Sequence, residues 1–307
     1  MMKKYFALMA LAVIGWCVTS CGGDDGNDGG GGGGGNPTQA GVLDHETGLR
    51  ITKAGDYQYN YDSEGRLSSV TKSYASHSDY EFTYNPNRVV FEGGDYQGSV
   101  GYTGLGYISQ IDATYSFVEG KGQSYEATYS GDLHTKYNYD NVGHVVSMTA
   151  NNNEKKEAAK GNKTRQITTT INLTWQNNRL MQAVVVENEN DSKNGVETYT
   201  QTWKFNYTQE DLTQNYNKHH QWVHSVASVF EDDKALAYVG LLGRGPLYLP
   251  SSAVRETIEE YEGKREVETD NYTFGYTFNT NGSVNSCKRT KSGSTTTYNY
   301  SYGSTGK

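Results

Sequence analysis

The sequence predicts an all-β protein: an antiparallel meander of hairpins that forms a barrel-like or strongly curved sheet, with one or two short helices near residues 219–243. A twelve-residue hairpin pattern recurs three times, and alternating apolar and polar residues fill most of the chain between the copies. The composition agrees, because 26 tyrosines against 8 phenylalanines suit sheet surfaces that are half apolar and half wet. The alternating runs amount to about a dozen to sixteen strands.

The recurring pattern occupies residues 59–70, 137–148 and 276–287 and reads Tyr-x-[Tyr/Phe]-[Asp/Asn]-x-x-Gly-x-[Leu/Val]-x-Ser-apolar. Aromatic residues two positions apart lie on one face of a strand, and the Asx residue and the glycine form the turn. The turn positions are Asp62, Asp140 and Asn279, followed by Gly65, Gly143 and Gly282. Leu67 and Val70 are three positions apart, so we expect a bulge that keeps both on one face.

Three further segments resemble shortened copies without the glycine, at residues 82–91, 173–182 and 205–214, and we predict tighter hairpins there. Residues 165–176 alternate in the manner of a strand, and Gly263 indicates another hairpin turn. Residues 151–163, NNNEKKEAAKGNK, predict a charged hairpin tip or loop.

One region departs from the strand pattern. Trp222, Val226, Val229 and Phe230 recur at helical spacing, and the pair Asp232–Asp233 stands where a second short helix would begin. Glycines and prolines then end the helical region, at Gly243, Gly245, Pro246 and Pro250. We therefore predict two short helices and a loop that cover one face of the sheet or plug one of its openings.

The N-terminus predicts export and lipid attachment. Residues 1–20 have a positive start at Lys3 and Lys4 and a short apolar run, as in a secretion signal. The residues Val-Thr-Ser-Cys that end at Cys21 resemble the lipobox of bacterial lipoproteins, which implies cleavage before Cys21 and acylation of its thiol. An ordinary signal peptide with a chance cysteine is the alternative. Residues 21–43 are a glycine- and aspartate-rich tether, and residues 44–307 are predicted to form a single β-barrel-like domain.

The net charge limits the classes of binding partner, and the cysteine content limits the possible disulfides. The formal net charge of −8 argues against nucleic acid, whose binding relies on Lys and Arg neutralising phosphates. If Cys17 leaves with the signal and Cys21 is acylated, Cys287 remains alone, and no internal disulfide can form. Aspartates of the tether, Asp24, Asp25 and Asp28, resemble signals that send lipoproteins to the outer face of the outer membrane. We expect an outer-membrane, lipid-anchored protein at the cell surface rather than at the periplasmic face.

Two resemblances extend this prediction. The unit that contains Tyr59, Tyr61, Asp62 and Gly65 resembles the tyrosine-aspartate (YD) repeats that build Rhs-type shells. The whole layout is similar to a bacterial outer-membrane lipoprotein family whose shared domain has no assigned function and a porin-like fold. That layout comprises the lipobox, the tether, the scattered hairpin units and the late segment AYVGLLGRGPLYLP at residues 237–250. The resemblance implies a closed or nearly closed sheet and brings no catalytic residues.

No cofactor is expected from the motifs. His219, His220 and His224 would place two imidazoles on one face if the segment were helical, but no cysteine ligand or HExxH spacing accompanies them. We favour a solvated helix start over a metal site. The glycines at 240, 243 and 245 follow a predicted helix and lack the GK[ST] ending of a phosphate loop, so no nucleotide is expected.

The function that these features favour is non-catalytic: a cell-envelope binding or scaffold domain, attached to the membrane through Cys21 and capturing a glycan or an envelope peptide or protein on a tyrosine-rich surface. The alternative is a hydrolase of glycans or cell wall, because distant carboxylates could converge in the fold. Adjacent pairs such as Glu259–Glu260 would point to opposite faces of a strand. Alternate strand positions are often Thr, Tyr, Asn or Ser, so we expect a barrel beside the membrane and not within it.

Overall fold

The computed structural model describes residues 42–44, 49–72, 80–85, 88–93, 95–123, 126–159, 161–193 and 195–304. The predicted signal, Cys21 and nearly all of the tether lie outside these residues. Seventeen strands are described: β1 (Val42–Asp44), β2 (Leu49–Ala54), β3 (Tyr57–Tyr61), β4 (Leu67–Lys72), β5 (Tyr80–Asn85), β6 (Arg88–Gly93), β7 (Tyr96–Tyr102), β8 (Ile108–Glu119), β9 (Ala127–Tyr139), β10 (Val145–Ala158), β11 (Lys163–Gln176), β12 (Arg179–Asp191), β13 (Gly195–Asn206), β14 (Ser252–Tyr261), β15 (Lys264–Phe278), β16 (Val284–Lys291) and β17 (Ser294–Ser304).

Sixteen of these strands close into a barrel. Each strand from β2 to β16 pairs antiparallel with the next one along the chain, and β17 pairs with β2 to complete the ring. The short strand β1 adds to β2. The predicted all-β antiparallel meander is therefore confirmed, and the sheet is a fully closed barrel.

The barrel wall is uneven in height. The strands β8 to β15 have 10 to 15 residues each and form a tall wall. The strands β2 to β7 have only 5 to 7 residues and form a low wall. The charged hairpin tip or loop predicted over residues 151–163 is shorter than expected, because residues 151–158 extend β10 along the tall wall and β11 begins at Lys163. The charges of this segment lie on both faces: Glu154 pairs with Arg165 at 2.9 Å inside, and Lys155 pairs with Glu157 outside.

Alternation along the strands separates an inner from an outer face. On β11 the residues Ile167, Ile171 and Leu173 are buried inside the barrel, and the even-numbered residues of the strand point outward. Every outward position of β9, β10 and β11 is polar or charged. These positions are Thr128, Ser130, Asp132, His134, Lys136, Asn138, Ser147, Thr149, Asn151, Asn153, Lys155, Glu157, Thr164, Gln166, Thr168, Thr170, Asn172, Thr174 and Gln176.

The three predicted hairpin units are confirmed and share the backbone bonds of one turn, and the two units with aspartate also share its side-chain bonds. Asp62 Oδ1 accepts hydrogen bonds from the N–H groups of Glu64 and Arg66 at 3.0 and 2.8 Å, and the N–H of Gly65 donates to the carbonyl of Asp62. In all three units the register shifts by one residue next to the turn, which is the expected bulge. A fourth turn of this type, between β7 and β8, uses the Thr103 hydroxyl as the acceptor. The sequence pattern required Asp or Asn at this position, so it did not detect the turn that begins at Thr103.

Aromatic residues next to these turns tie neighbouring hairpins together. Each donates its side-chain O–H or N–H to the backbone carbonyl of a fully buried aliphatic residue in the preceding hairpin or strand. The pairs are Tyr61 with Ile51, Tyr84 with Leu67, Tyr139 with Ile108, Trp175 with Val145, Tyr207 with Leu180, and Tyr302 with Val284. The turn end of the barrel is thus bonded by side chains as well as by the strand ladder.

The 45 residues from 207 to 251, between β13 and β14, form an insert that carries the helices. These are α1 (Asp211–Gln214), α2 (His224–Ala227), a 3-10 helix (Ser228–Asp233) and α3 (Lys234–Tyr238). The predicted hairpin at 205–214 was therefore wrong. Thr208 Oγ1 accepts from the N–H of Asp211, and Asp211 Oδ2 accepts from the N–H of Thr208, a reciprocal capping that starts a helix. Among the described residues no helix is long and apolar enough to cross a membrane.

The insert fills the barrel at the turn end, as one of the two predicted arrangements required. Trp222 is fully buried, donates to the carbonyl of Gly243 at 3.0 Å and packs edge-on against Trp175 and Phe230. The backbone of the insert also bonds to the hairpin turns, for example from Arg244 N–H to the carbonyl of Gly143 at 2.8 Å. The hydrophobic core therefore lies between the insert and the surrounding wall.

Candidate functional site: the cup above the insert

The tall wall extends past the insert and encloses a cup that is open to water. The insert forms its floor. Lys264, Glu266 and Glu268 occupy inward positions at the start of β15 and are nevertheless exposed. Glu231, on the floor, is likewise exposed although strands surround it. Solvent therefore reaches the inside of the barrel from the end opposite the Asx turns of the hairpin units.

One side of the cup is acidic. Glu187, Glu189, Glu197 and Glu259 line a small cavity of about 30 Å³ on the strands β12 to β14, together with Tyr199 and Tyr261. Glu189 stands directly opposite Glu197 in the ladder, an arrangement of like charges that destabilises a sheet. Glu259 lies in the inward row of β14, whereas its neighbour Glu260 lies in the outward row and pairs with Arg265 at 3.3 Å, although Glu260 also borders the cavity. The predicted divergence of this adjacent pair is confirmed.

A second cavity of about 70 Å³ brings three carboxylates together at the floor: Glu187, Glu231 and Asp233. Glu231 has φ of 42° and ψ of −93°, a conformation that costs energy in a residue with a side chain. Asp233 accepts a hydrogen bond from Tyr137 at 2.6 Å, and desolvation raises the pKa of its carboxyl from 3.8 to about 6. Desolvation also raises the pKa of Glu231, against the opposing effect of Lys234 and Arg255.

The adjoining side of the floor, on β14 to β16, is basic. Arg255, Arg289 and Lys291 place their charged groups 5.7, 5.8 and 5.8 Å from the ring centroid of one buried residue, Tyr272. Asp270 is the buried carboxylate of this group and accepts from Arg255, from Lys291 and from the Tyr272 hydroxyl. Hydrogen bonds from these two cations keep the pKa of Asp270 low despite its desolvation. These residues were not predicted from the sequence, although Arg289 and Lys291 continue the inward alternation that begins at Cys287.

The three predicted histidines do not form a common site. His220 has φ of 48° and α2 begins only at His224, so the helical face expected to join them is absent. Their rings bond to different groups: His219 to the carbonyl of Asn281 at 3.0 Å, His220 to that of Gly245 at 3.1 Å, and His224 to Tyr238 and Arg289, both at 3.0 Å. Within the described ranges no group of three His, Cys, Asp or Glu side chains could hold a metal ion.

Most tyrosines of the hairpin units face the interior, where they bond to the insert or pack on other rings. Tyr59 donates to the carbonyl of Ala235 at 3.0 Å, and Tyr276 donates to that of Pro250 at 2.7 Å. They therefore act mainly in holding the barrel on its insert. Cys287 is fully buried beside them, and burial raises the pKa of its thiol to about 12, so it lacks the thiolate that a nucleophile needs.

Comparison with known proteins gives structural neighbours only. No family model and no curated protein matches the sequence. The chain is similar to a porin-like protein from Bacteroides vulgatus, with 15% identity, a TM-score of 0.47, and coverage of 82% of this chain and 98% of that one. It is also similar to a porin-like protein from Bacteroides uniformis, with 12% identity, a TM-score of 0.25, and coverage of 73% and 96%.

Proposed function

We propose that this protein is a non-catalytic cell-envelope lipoprotein that displays a binding or scaffold domain on the outer membrane and receives its ligand in the cup. The single observation that carries the proposal is the shape of the interior: the insert closes one end, and the charged inner face of the tall wall is open to water at the other. A blind, water-filled receptacle suits capture rather than passage. Its polar and charged lining suits a glycan or a peptide.

The outer face supports a position beside the membrane. A transmembrane barrel needs an apolar residue at alternate positions across a band about 25 Å tall. The outward positions of β9 to β11 are polar or charged throughout, so lipid would leave their side chains without partners. An acyl anchor on Cys21 and a glycine-rich tether would then provide the membrane attachment.

A hydrolase is the second candidate, and the three carboxylates around the 70 Å³ cavity are the observation that favours it. Raised pKa values at Glu231 and Asp233 are what a general acid requires. The cavity is far smaller than the roughly 300–1,000 Å³ of sites that enclose small ligands. We therefore rank this candidate below capture.

The test is a glycan and peptide array probed with the mature chain and with a matched pair of variants. Glu259→Gln removes a charge from inside the cup, and Glu256→Gln removes one from an outward, exposed position of the same strand. We expect hits of the wild type to weaken with Glu259→Gln and to persist with Glu256→Gln. Equal hits from both variants would contradict binding in the cup, and cleavage of an arrayed glycan would favour the hydrolase. Protease treatment of intact cells would establish whether the domain is at the surface.

A further inference from the structure

We propose that the floor of the cup holds a binding site for an anionic group, a carboxylate, sulfate or phosphate, centred on Arg289 and assisted by Lys291. This inference rests on the proposed capture function and adds the chemical class of the ligand. It implies that the captured glycan or peptide carries an acidic substituent.

Positive charge exceeds negative charge around Tyr272. Three cations surround this ring, and Asp270 is the buried carboxylate that faces them. The oxygens of Asp270 are already taken by Arg255 and Lys291. Glu268 lies 3.9 Å from Lys291, but its side chain is 67% exposed, so water screens that contact. The site therefore keeps a surplus of positive charge.

Arg289 carries most of that surplus. No carboxylate of the described residues lies within ion-pair distance of its guanidinium, which is half-buried between the rings of Tyr272 and Tyr298. Its one hydrogen bond to the insert goes to His224 Nε2 at 3.0 Å. Taking an unpaired guanidinium partly out of water costs free energy, and a bound anion would recover it.

His224 cannot supply the missing negative charge. Because an arginine only donates, His224 Nε2 is the acceptor, and its Nδ1–H therefore points at Tyr238. Burial and the charge of Arg289 lower the pKa of His224 to about 3, so the imidazole is neutral at physiological pH. It fixes one side of the guanidinium, and the N–H groups on the other side have no acceptor among the described residues, while Arg289 stays half-exposed.

The ligand class follows from the donors. A guanidinium presents a planar fork of N–H groups that matches the oxygens of a carboxylate, sulfate or phosphate, and a lysine adds a point charge. Aromatic rings beneath these cations hold them in place and exclude water from one side. The acidic side of the cup repels an extended polyanion, so a group with isolated negative charges is favoured.

The experiment titrates the full chain with sodium phosphate, sodium sulfate and sodium glucuronate at constant ionic strength, and follows binding by calorimetry. We expect saturable binding of at least one anion, and a dissociation constant about tenfold higher in Arg289→Gln, equivalent to about 1.4 kcal/mol. Arg265→Gln is the matched control, because Arg265 lies on the outer face and pairs with Glu260. It should bind as the wild type does. Arg289→Lys should recover part of the affinity.

Two results would overturn the inference: no saturable binding of any of the three anions below about 50 mM, or the same affinity in Arg289→Gln as in the wild type. Melting curves without anion check that the variant folds. If it does not, Lys291→Gln takes its place, and affinity unchanged by that variant also counts against the site. Array hits without anion binding would contradict the anion site but not the proposed capture function. Anion binding without array hits would contradict the capture function but not the anion site.

Discussion

Single residues show how the interior of this barrel differs from an ordinary core. Asp233 and Glu231 lie inside a ring of sixteen strands, yet water reaches both, and both have raised pKa values. Asp233 keeps its position through the hydrogen bond from Tyr137. The protein tolerates desolvated acids where the insert meets the cup, and this tolerance makes its stability depend on pH.

We expect Asp233→Asn to remove one component of that dependence. Because the folded-state pKa is about 6 and the ordinary value is 3.8, the unfolded chain loses the proton first as the pH rises. The contribution of Asp233 to the free energy of unfolding therefore falls between about pH 4 and 6, by at most about 3 kcal/mol, and then levels off. Asparagine can still accept from Tyr137. Urea unfolding of both proteins at pH 4 and pH 7.5 should show the variant gaining stability relative to wild type at the higher pH. A difference independent of pH would contradict this.

At the scale of elements, the hairpins are joined to one another and to the insert by more than the strand ladder. The aromatic residue before several of the turns, such as Tyr84 or Tyr139, donates to a carbonyl of the preceding hairpin, and the insert bonds to the turns from inside. The third hairpin unit has Phe278 at this position, which cannot donate, and there Tyr276 donates to the carbonyl of Pro250 in the insert. Repetition of the unit therefore builds a bonded end against which the insert can pack.

We expect Tyr139→Phe to lower the free energy of unfolding by about 1 kcal/mol, because the carbonyl of the fully buried Ile108 loses its 2.6 Å partner while the ring packing is kept. Tyr216→Phe is the matched control. The Tyr216 side chain is 47% exposed, and its ring contacts that of Tyr248. The free energy of unfolding of the Tyr216→Phe variant should therefore stay within about 0.5 kcal/mol of wild type. Chemical denaturation measures both. Equal effects of the two substitutions would show that the bonds at the turn end add no stability.

At the scale of the whole molecule, a tall wall on one side and a low wall on the other turn a closed barrel into a cup with a floor. On β9 to β11 the outer face is polar, whereas β13 to β15 also carry outward apolar residues, among them Val196 and Val267, which are 64% and 51% exposed. The buried apolar side chains are concentrated around the insert. The strands β9 to β11 therefore lack the outer apolar band of a barrel in lipid. Attachment to the membrane would then depend on the N-terminus.

We expect phase partitioning in a cloud-point detergent to distinguish the roles of Cys21 and Cys287 in membrane attachment. If Cys21 is acylated as proposed, the wild-type protein should enter the detergent phase, whereas Cys21→Ser should remain in the aqueous phase and stay folded without detergent. Cys287→Ser is the control and should partition as the wild type does, since Cys287 lies in the core. A Cys21→Ser protein that needed detergent to stay in solution would indicate that the barrel itself contacts lipid.

The hairpin units were predictable from the sequence because every determinant is local. The turn needs an Asx or hydroxyl acceptor and a glycine such as Gly65, with φ of 77°, within five residues, and alternation assigns the faces of the adjoining strands. The same local rules failed at residues 205–214, where Thr208 and Asp211 cap a helix, and at 151–158, where charged residues extend a strand. In both cases side-chain partners decided the outcome.

By itself, the sequence determined the all-β class, the antiparallel hairpins and the presence of short helices near residues 219–243, because periodicity and turn chemistry act over a few residues. Only the tertiary structure decided that the ring closes between β17 and β2 and that the insert lies inside it. It also brought Arg255 of β14 and Arg289 of β16 to the same ring, that of Tyr272 on β15. Such convergence depends on strand register across the sheet, which no short segment of the chain specifies.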